Sequence, residues 1–173
     1  MRHDSDLNRA GTTAAVEQGV VPLKELKDFQ VAKGDPDVRG WEVLSNDGRR
    51  IGKVDDLLVD TAAMRVRYLD IDLDDDLRNL AQGGTGPGTK SDNILIPIGS
   101  AQLHEKDDRV TVDLLHSLVT GIPNYDRSTF NREYETSVRR HFDRDYQPAQ
   151  DRDFYEHDLY NDSRFYGKRR TRR

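Results

Sequence analysis

Cysteine is absent from the 173 residues, which excludes disulfides, thiolate metal sites, cysteine nucleophiles and CxxC redox chemistry. Apolar residues are scarce: they make up 34% of the chain, no more than the charged residues do, and the mean hydropathy is −0.88. The core must therefore be small or confined. Long hydrophobic runs are missing too. The longest apolar stretches, such as Ile94 to Ile98, fall far short of the roughly 20 residues that span a bilayer. The N-terminus, with Arg2, Asp4, Asp6 and Arg9, lacks the apolar centre of a signal peptide, so a cytoplasmic protein is expected by default. Positive charge is in deficit: a net charge of −5 and a pI near 5.5 argue against bulk nucleic-acid binding. The histidines, His3, His104, His116, His141 and His157, are scattered with no pair at helical ligand spacing, which argues against a metal site. The length suits one ordinary domain with an appendage.

What is present divides into three segments. Residues 1–21 are polar and small, with Gly11, Thr12, Thr13, Ala14 and Ala15, and read as a flexible N-terminal arm. Residues 22–126 carry the signals of a small antiparallel β-domain. Pro22 opens a helical turn through Leu26. Trp41 to Leu44 reads as a strand closed by Asn46-Asp47-Gly48, whose Asp-Gly tolerates the positive φ of a tight hairpin; Ile51 to Val59 is the return strand. Val66 to Leu73 alternates polar with apolar residues, predicting a half-buried strand whose Asp70 and Asp72 face water. Asn93 to Ile98 reads as a buried strand near an edge or bulge, because Pro97 cannot donate to a ladder. Arg109 to Asp113 is the last clear strand, ahead of a helical turn from Leu114 to Val119. Short strands at this spacing fit a small barrel.

Residues 127–173 form an aromatic and arginine-rich extension. Every Tyr and Phe except Phe29 and Tyr68 lies from Tyr125 onward. Phe130, Tyr134, Val138, Phe142 and Tyr146 recur every fourth residue, predicting a helix that ends at Pro148. Aromatics mixed with arginine suit interfaces, so the extension either wraps its own barrel or binds a partner. The basic end, Lys168 to Arg173, suits an acidic membrane surface or partner. Interspersed aspartates, such as Asp143, Asp145 and Asp151, oppose a nucleic-acid role.

Two motifs invite a chemical reading. Gly88-Thr89-Lys90-Ser91 resembles the end of a phosphate-binding loop, but Thr89 separates Gly from Lys and a strand follows where a helix is needed. Gly83 to Ser91 is therefore expected to be an ordinary mobile loop. Asp70, Asp72, Asp74, Asp75 and Asp76 could hold a cation, yet Asp75 and Ala81 stand where a calcium-binding EF-hand needs Gly and Glu. A solvated strand face is expected, or an acidic strip that steers a basic partner. No cluster supplies a matched nucleophile, base and oxyanion donor, and the chain is expected not to be an enzyme.

Several ordered blocks carry a family resemblance: Phe29 to Gly40, Asp47-Gly48, Ile51 to Asp60, Arg67-Tyr68-Leu69, Ile94 to Gly99 and Ile122-Pro123. Together, over roughly residues 24 to 126, they resemble the PRC-barrel family, and most nearly the cytoplasmic domain of the photosynthetic reaction-centre H subunit. The resemblance implies a mainly β fold, a small PRC-type barrel with short helices and a partly helical C-terminal extension. It implies a non-enzymatic assembly subunit on the cytoplasmic side of a reaction-centre complex, supporting quinone-side electron transfer. Pigments and quinone would belong to the partner complex, and no cofactor would be bound directly. Unlike H subunits, this chain shows no transmembrane helix, so association with the membrane would run through protein contacts and the basic C-terminus. Asp60 matches the family's Val-Asp turn, but Thr61, Ala62 and Ala63 follow where an acidic residue is expected, which weakens a proton-delivery role. The expected docking residues are Arg39, Asp60 and Tyr68 on the barrel and Phe142, Tyr146, Tyr155, Arg169 and Arg170 in the extension. The alternative is a soluble PRC-barrel adaptor outside photosynthesis, such as a ribosome or RNA-processing factor of the RimM type.

Overall fold

Backbone pairing begins with short strands and lengthens toward the middle of the sequence. The computed structural model describes residues 2–3, 19–80, 93–148 and 153–167. The first three strands are β1 (Arg2–His3), β2 (Val20–Pro22) and β3 (Phe29–Gln30). Two ends of the expected arm are therefore structured: β1 pairs antiparallel with β3, and Val20 and Val21 are buried in the main sheet. The longer strands are β4 (Glu42–Leu44), β5 (Arg50–Asp60), β6 (Arg65–Leu73), β7 (Asn93–Pro97), β8 (Ala101–His104) and β9 (Arg109–Val112). Gly48 closes the β4–β5 hairpin with φ 80°, the left-handed conformation that only glycine adopts without strain.

Seven of these strands form one sheet in the order β7-β6-β5-β4-β9-β8, with β2 also paired to β5. β5 is long enough to hold β2 along one half of an edge and β4 along the other. The fold is mainly β, as expected, but the sheet is mixed. β4 and β9 run parallel, because the chain between them makes its reversals in the β5–β6–β7 meander and returns to β4 in the same direction. Among the described residues no pairing joins β7 to β8, so the strands do not close into a ring. The C-terminal extension packs against this interval: a Cβ on Gly99, in the 3-10 turn Ile98–Ser100 between β7 and β8, would lie 1.9 Å from the Asp158 carbonyl oxygen.

Three α-helices are described: α1 (Asp75–Leu80), α2 (Arg132–Phe142) and α3 (Asp162–Tyr166). Asn131 caps α2 by accepting from the Tyr134 N–H at 2.8 Å. The helix spans only Arg132–Phe142, so Phe130 and Tyr146 of the expected face lie outside it, and it stops short of the expected end at Pro148 because Asp143 leaves helical geometry at φ −140°. Tyr146 then turns back so that the Arg139 guanidinium lies 3.9 Å from its ring centroid. The extension is part of the core. Val138, Tyr146, Phe154, Tyr160, Phe165 and Tyr166 are buried with the sheet residues, and Asp162, fully buried, accepts from Arg65 at 2.9 Å and from the Val66 N–H at 3.1 Å.

Candidate functional site

The docking residues expected from sequence do not form one surface. Tyr68 is fully buried; its hydroxyl donates to Glu135 Oε1 at 3.1 Å, and its ring meets Tyr160 edge-on at 5.4 Å. Asp60 is buried in an ion pair with Arg67 and also accepts from the Ala62 and Ala63 N–H groups. Its carboxylate stabilises a turn inside the molecule and is not displayed to a partner. Tyr146 is buried beneath Arg139, and Tyr155 is half-buried, donating to Glu135. Arg132 stacks 4.2 Å from the Phe154 centroid and donates to Glu135 Oε2 at 3.1 Å. Burial raises the Glu135 carboxyl above its ordinary range, against the lowering effect of these donors. Among the described residues of the extension, these aromatic and arginine contacts are thus made within the chain. Arg39 is exposed and paired with Asp37, and Phe142 is half-buried. Arg169 and Arg170 lie outside the described residues, as does the Gly83 to Ser91 loop.

An acidic concavity of about 400 Å³ opens elsewhere, between the 3-10 turn Leu23–Glu25, the sheet and residues 125–127. A β-bulge builds its floor. The β5–β6 register shifts between Val54 and Asp56, so Asp56 stands directly opposite Asp70 and Asp55 is the extra residue. Tyr68, Asp70 and Asp72 share one face of β6 by strand alternation, and Tyr68 is covered by the extension. Asp70 is consequently 3% exposed, a correction to its expected place in water. Asn93 of β7 bridges the acids: its side-chain nitrogen donates to Asp70 at 2.8 Å and to Asp55 at 3.1 Å. Desolvation pushes the Asp70 carboxyl up to about 7, with Asn93 opposing and the Asp55 and Asp56 charges adding to the rise. Asp56, fully buried, accepts from the Lys24 N–H at 3.3 Å, while its other oxygen has no hydrogen-bond donor and lies 4.0 Å from Arg39. Burial raises its carboxyl as well.

Tyr125 lines the concavity. Its backbone N–H donates to the Asn93 carbonyl at 2.7 Å, and Arg127 crosses to Glu25 at 3.0 Å, so residues 125–127 are tied both to β7 and to the turn after β2. The Tyr125 side chain is 6% exposed, and its buried hydroxyl has no hydrogen-bond partner. Burial and the nearby Asp70 charge raise its pKa. Among the described residues no group of three His, Asp or Glu side chains converges as a metal site, and no helix is long and apolar enough to cross a membrane.

A family model for the PRC-barrel domain matches residues 31–119, just over half of the chain. The chain belongs to the PRC-barrel family. Members of this family use the domain in non-catalytic roles. Here the PRC-barrel domain supplies β4 to β9 and, within the concavity, Asp55, Asp70, Asp72 and Asn93. Lys24, Glu25 and Tyr125 to Arg127 come from segments flanking it. The site is therefore completed by chain outside the matched domain. Sequence reasoning singled out Asp70 for the wrong surface and passed over Asp56, Asn93 and Tyr125. The available signal was Val54-Asp55-Asp56-Leu57, two acids set inside an apolar strand, one of which must face inward.

Proposed function

We propose that this chain is a non-enzymatic docking subunit of a larger complex, on the cytoplasmic side of a photosynthetic reaction centre in the manner of H-type subunits. Pigments and quinone belong to the partner, and the PRC-barrel domain supports electron transfer on the quinone side by holding position there. The observation that carries the docking reading is the acidic concavity, whose described lining holds five acids, Glu25, Asp55, Asp70, Asp72 and Asp126, against two basic residues, Lys24 and Arg127, with Arg78 reaching Asp72 from outside the lining. An opening of that sign favours a basic partner surface, both by steering the encounter and by complementarity once docked. The ordered sequence blocks from Phe29 to Pro123 support the reaction-centre assignment.

The test is capture of the tagged chain from its native host in mild detergent, with mass spectrometry of the eluate and its absorption spectrum. Bacteriochlorophyll bands with reaction-centre polypeptides are expected, and an Asp55→Asn, Asp126→Asn variant should lose them. A colourless eluate carrying ribosomal or other soluble proteins would overturn the reaction-centre assignment.

A further inference from the structure

The concavity contains acceptors that the chain does not use up. Asp70 and Asp55 each take one donor from the same Asn93 nitrogen, although a carboxylate offers about four acceptor sites. Tyr125 adds a buried hydroxyl without a partner, and such groups in native structures call for an explanation. The chain's own amine does not fill the site: Lys24 Nζ stops 4.0 Å from Asp55, with its side chain 62% exposed. A metal ion needs convergent oxygens at 2.3–2.6 Å in number, and no such convergence exists among the described residues. A compact cation with several N–H donors needs only acceptors spread around it. An alkylammonium group has three donors on a flexible stem, whereas a guanidinium fork is suited to both oxygens of one carboxylate. Pro22 and the Tyr125 ring supply apolar surface for the stem, and about 400 Å³ is at the small end of ligand pockets, enough for one long side chain.

We propose that this concavity is a receptor for a lysine side chain of the partner protein, whose ammonium donates to Asp70, Asp55 and the Tyr125 hydroxyl. The proposal rests on the docking reading and names what the acidic opening holds.

Amide NMR of the full-length chain tests it with a short neutral peptide carrying one lysine, the same peptide with Nε-acetyl-lysine, and free cadaverine. The lysine peptide should shift the Asn93 side-chain amide and the backbone signals of Asp70 and Tyr125 in a saturable way. Acetylation should weaken binding about tenfold or more, as should Asp70→Asn, since each removes a charge-assisted hydrogen bond. Tyr125→Phe, which keeps the ring and the fold, should weaken it several-fold. Equal shifts from the acetylated peptide, or an unchanged affinity in Tyr125→Phe, would overturn the proposal. Cadaverine binding more tightly than the lysine peptide would overturn the partner-lysine source in favour of a free diamine. Because no partner complex is present in this assay, amine binding can fail while native capture succeeds, and the reverse, so the two readings fall separately.

Discussion

Asp70→Asn should make the protein more stable at neutral and higher pH, although it removes a charge from an acidic site that looks functional. The Asp70 carboxyl ordinarily titrates at 3.8 and is pushed to about 7 in the fold. That gap, at 1.36 kcal/mol per pH unit, corresponds to about 4 kcal/mol of cost for ionising it in place. Because the folded pKa is raised, the native state holds the proton more tightly than the unfolded chain does. Stability from this group is fully present below about pH 4 and falls as pH rises toward about 7, by up to about 1.4 kcal/mol per unit, then levels off. An Asn side chain carries no charge and still accepts from Asn93, so it escapes this loss. The assay is urea unfolding of both proteins from pH 5 to pH 8.5, checking that the m-values agree. The difference between variant and parent should grow from pH 5 to about pH 7, reach a few kcal/mol there and stay level up to pH 8.5. Parallel stability curves, or a variant less stable than the parent at pH 8, would refute the claim that burial beside Asp55 and Asp56 governs this carboxyl.

Asp60→Ala strips Arg67 of its buried partner and should cost about 3–5 kcal/mol, measured by the urea midpoint; wild-type stability with lost partner capture would instead make Asp60 a docking residue. Gly99→Ala forces a Cβ to within 1.9 Å of the Asp158 carbonyl oxygen and should cost about 1–3 kcal/mol, with faster amide exchange in α3 as the local readout. Truncation after Asp126 removes Val138, Phe154, Tyr160 and Phe165 from the core; the remainder should bind a hydrophobic dye and lose its cooperative thermal transition, and a sharp transition would show that the extension is dispensable.

The strands were readable from the sequence because their signals are local. Asp47-Gly48 announces its hairpin, and the apolar run Ile94 to Ile98 can hardly be anything but buried. The parallel pairing of β4 with β9 was not readable, since it joins residues 67 apart, Glu42 with Arg109, and leaves no mark on either strand. The role of the extension was ambiguous for a chemical reason. Arginine stacked on tyrosine satisfies the same forces within one chain as between two, so composition alone cannot say which side the partner is on. Tyr68 and Asp70 were misplaced together: an alternating strand predicts one wet face only if nothing covers it, and here α2 and Tyr160 cover part of it. Asp55 shows a fourth kind of gap, because a bulge is a property of the paired register and not of one strand.

The placement of Asp162 and Tyr160 over β6 has a consequence for synthesis. Translation proceeds from the N-terminus at about 5–20 residues per second, and 54 residues separate Val112, the end of the last strand, from Tyr166. For roughly 3–11 s the finished strands therefore exist on the ribosome without the segment that shields Tyr68 and supplies the Asp162 acceptor to Val66. The nascent sheet passes through an interval in which the Tyr68 face of β6 is open to neighbouring chains, and the speed at which codons 113–166 are read becomes a determinant of folding yield.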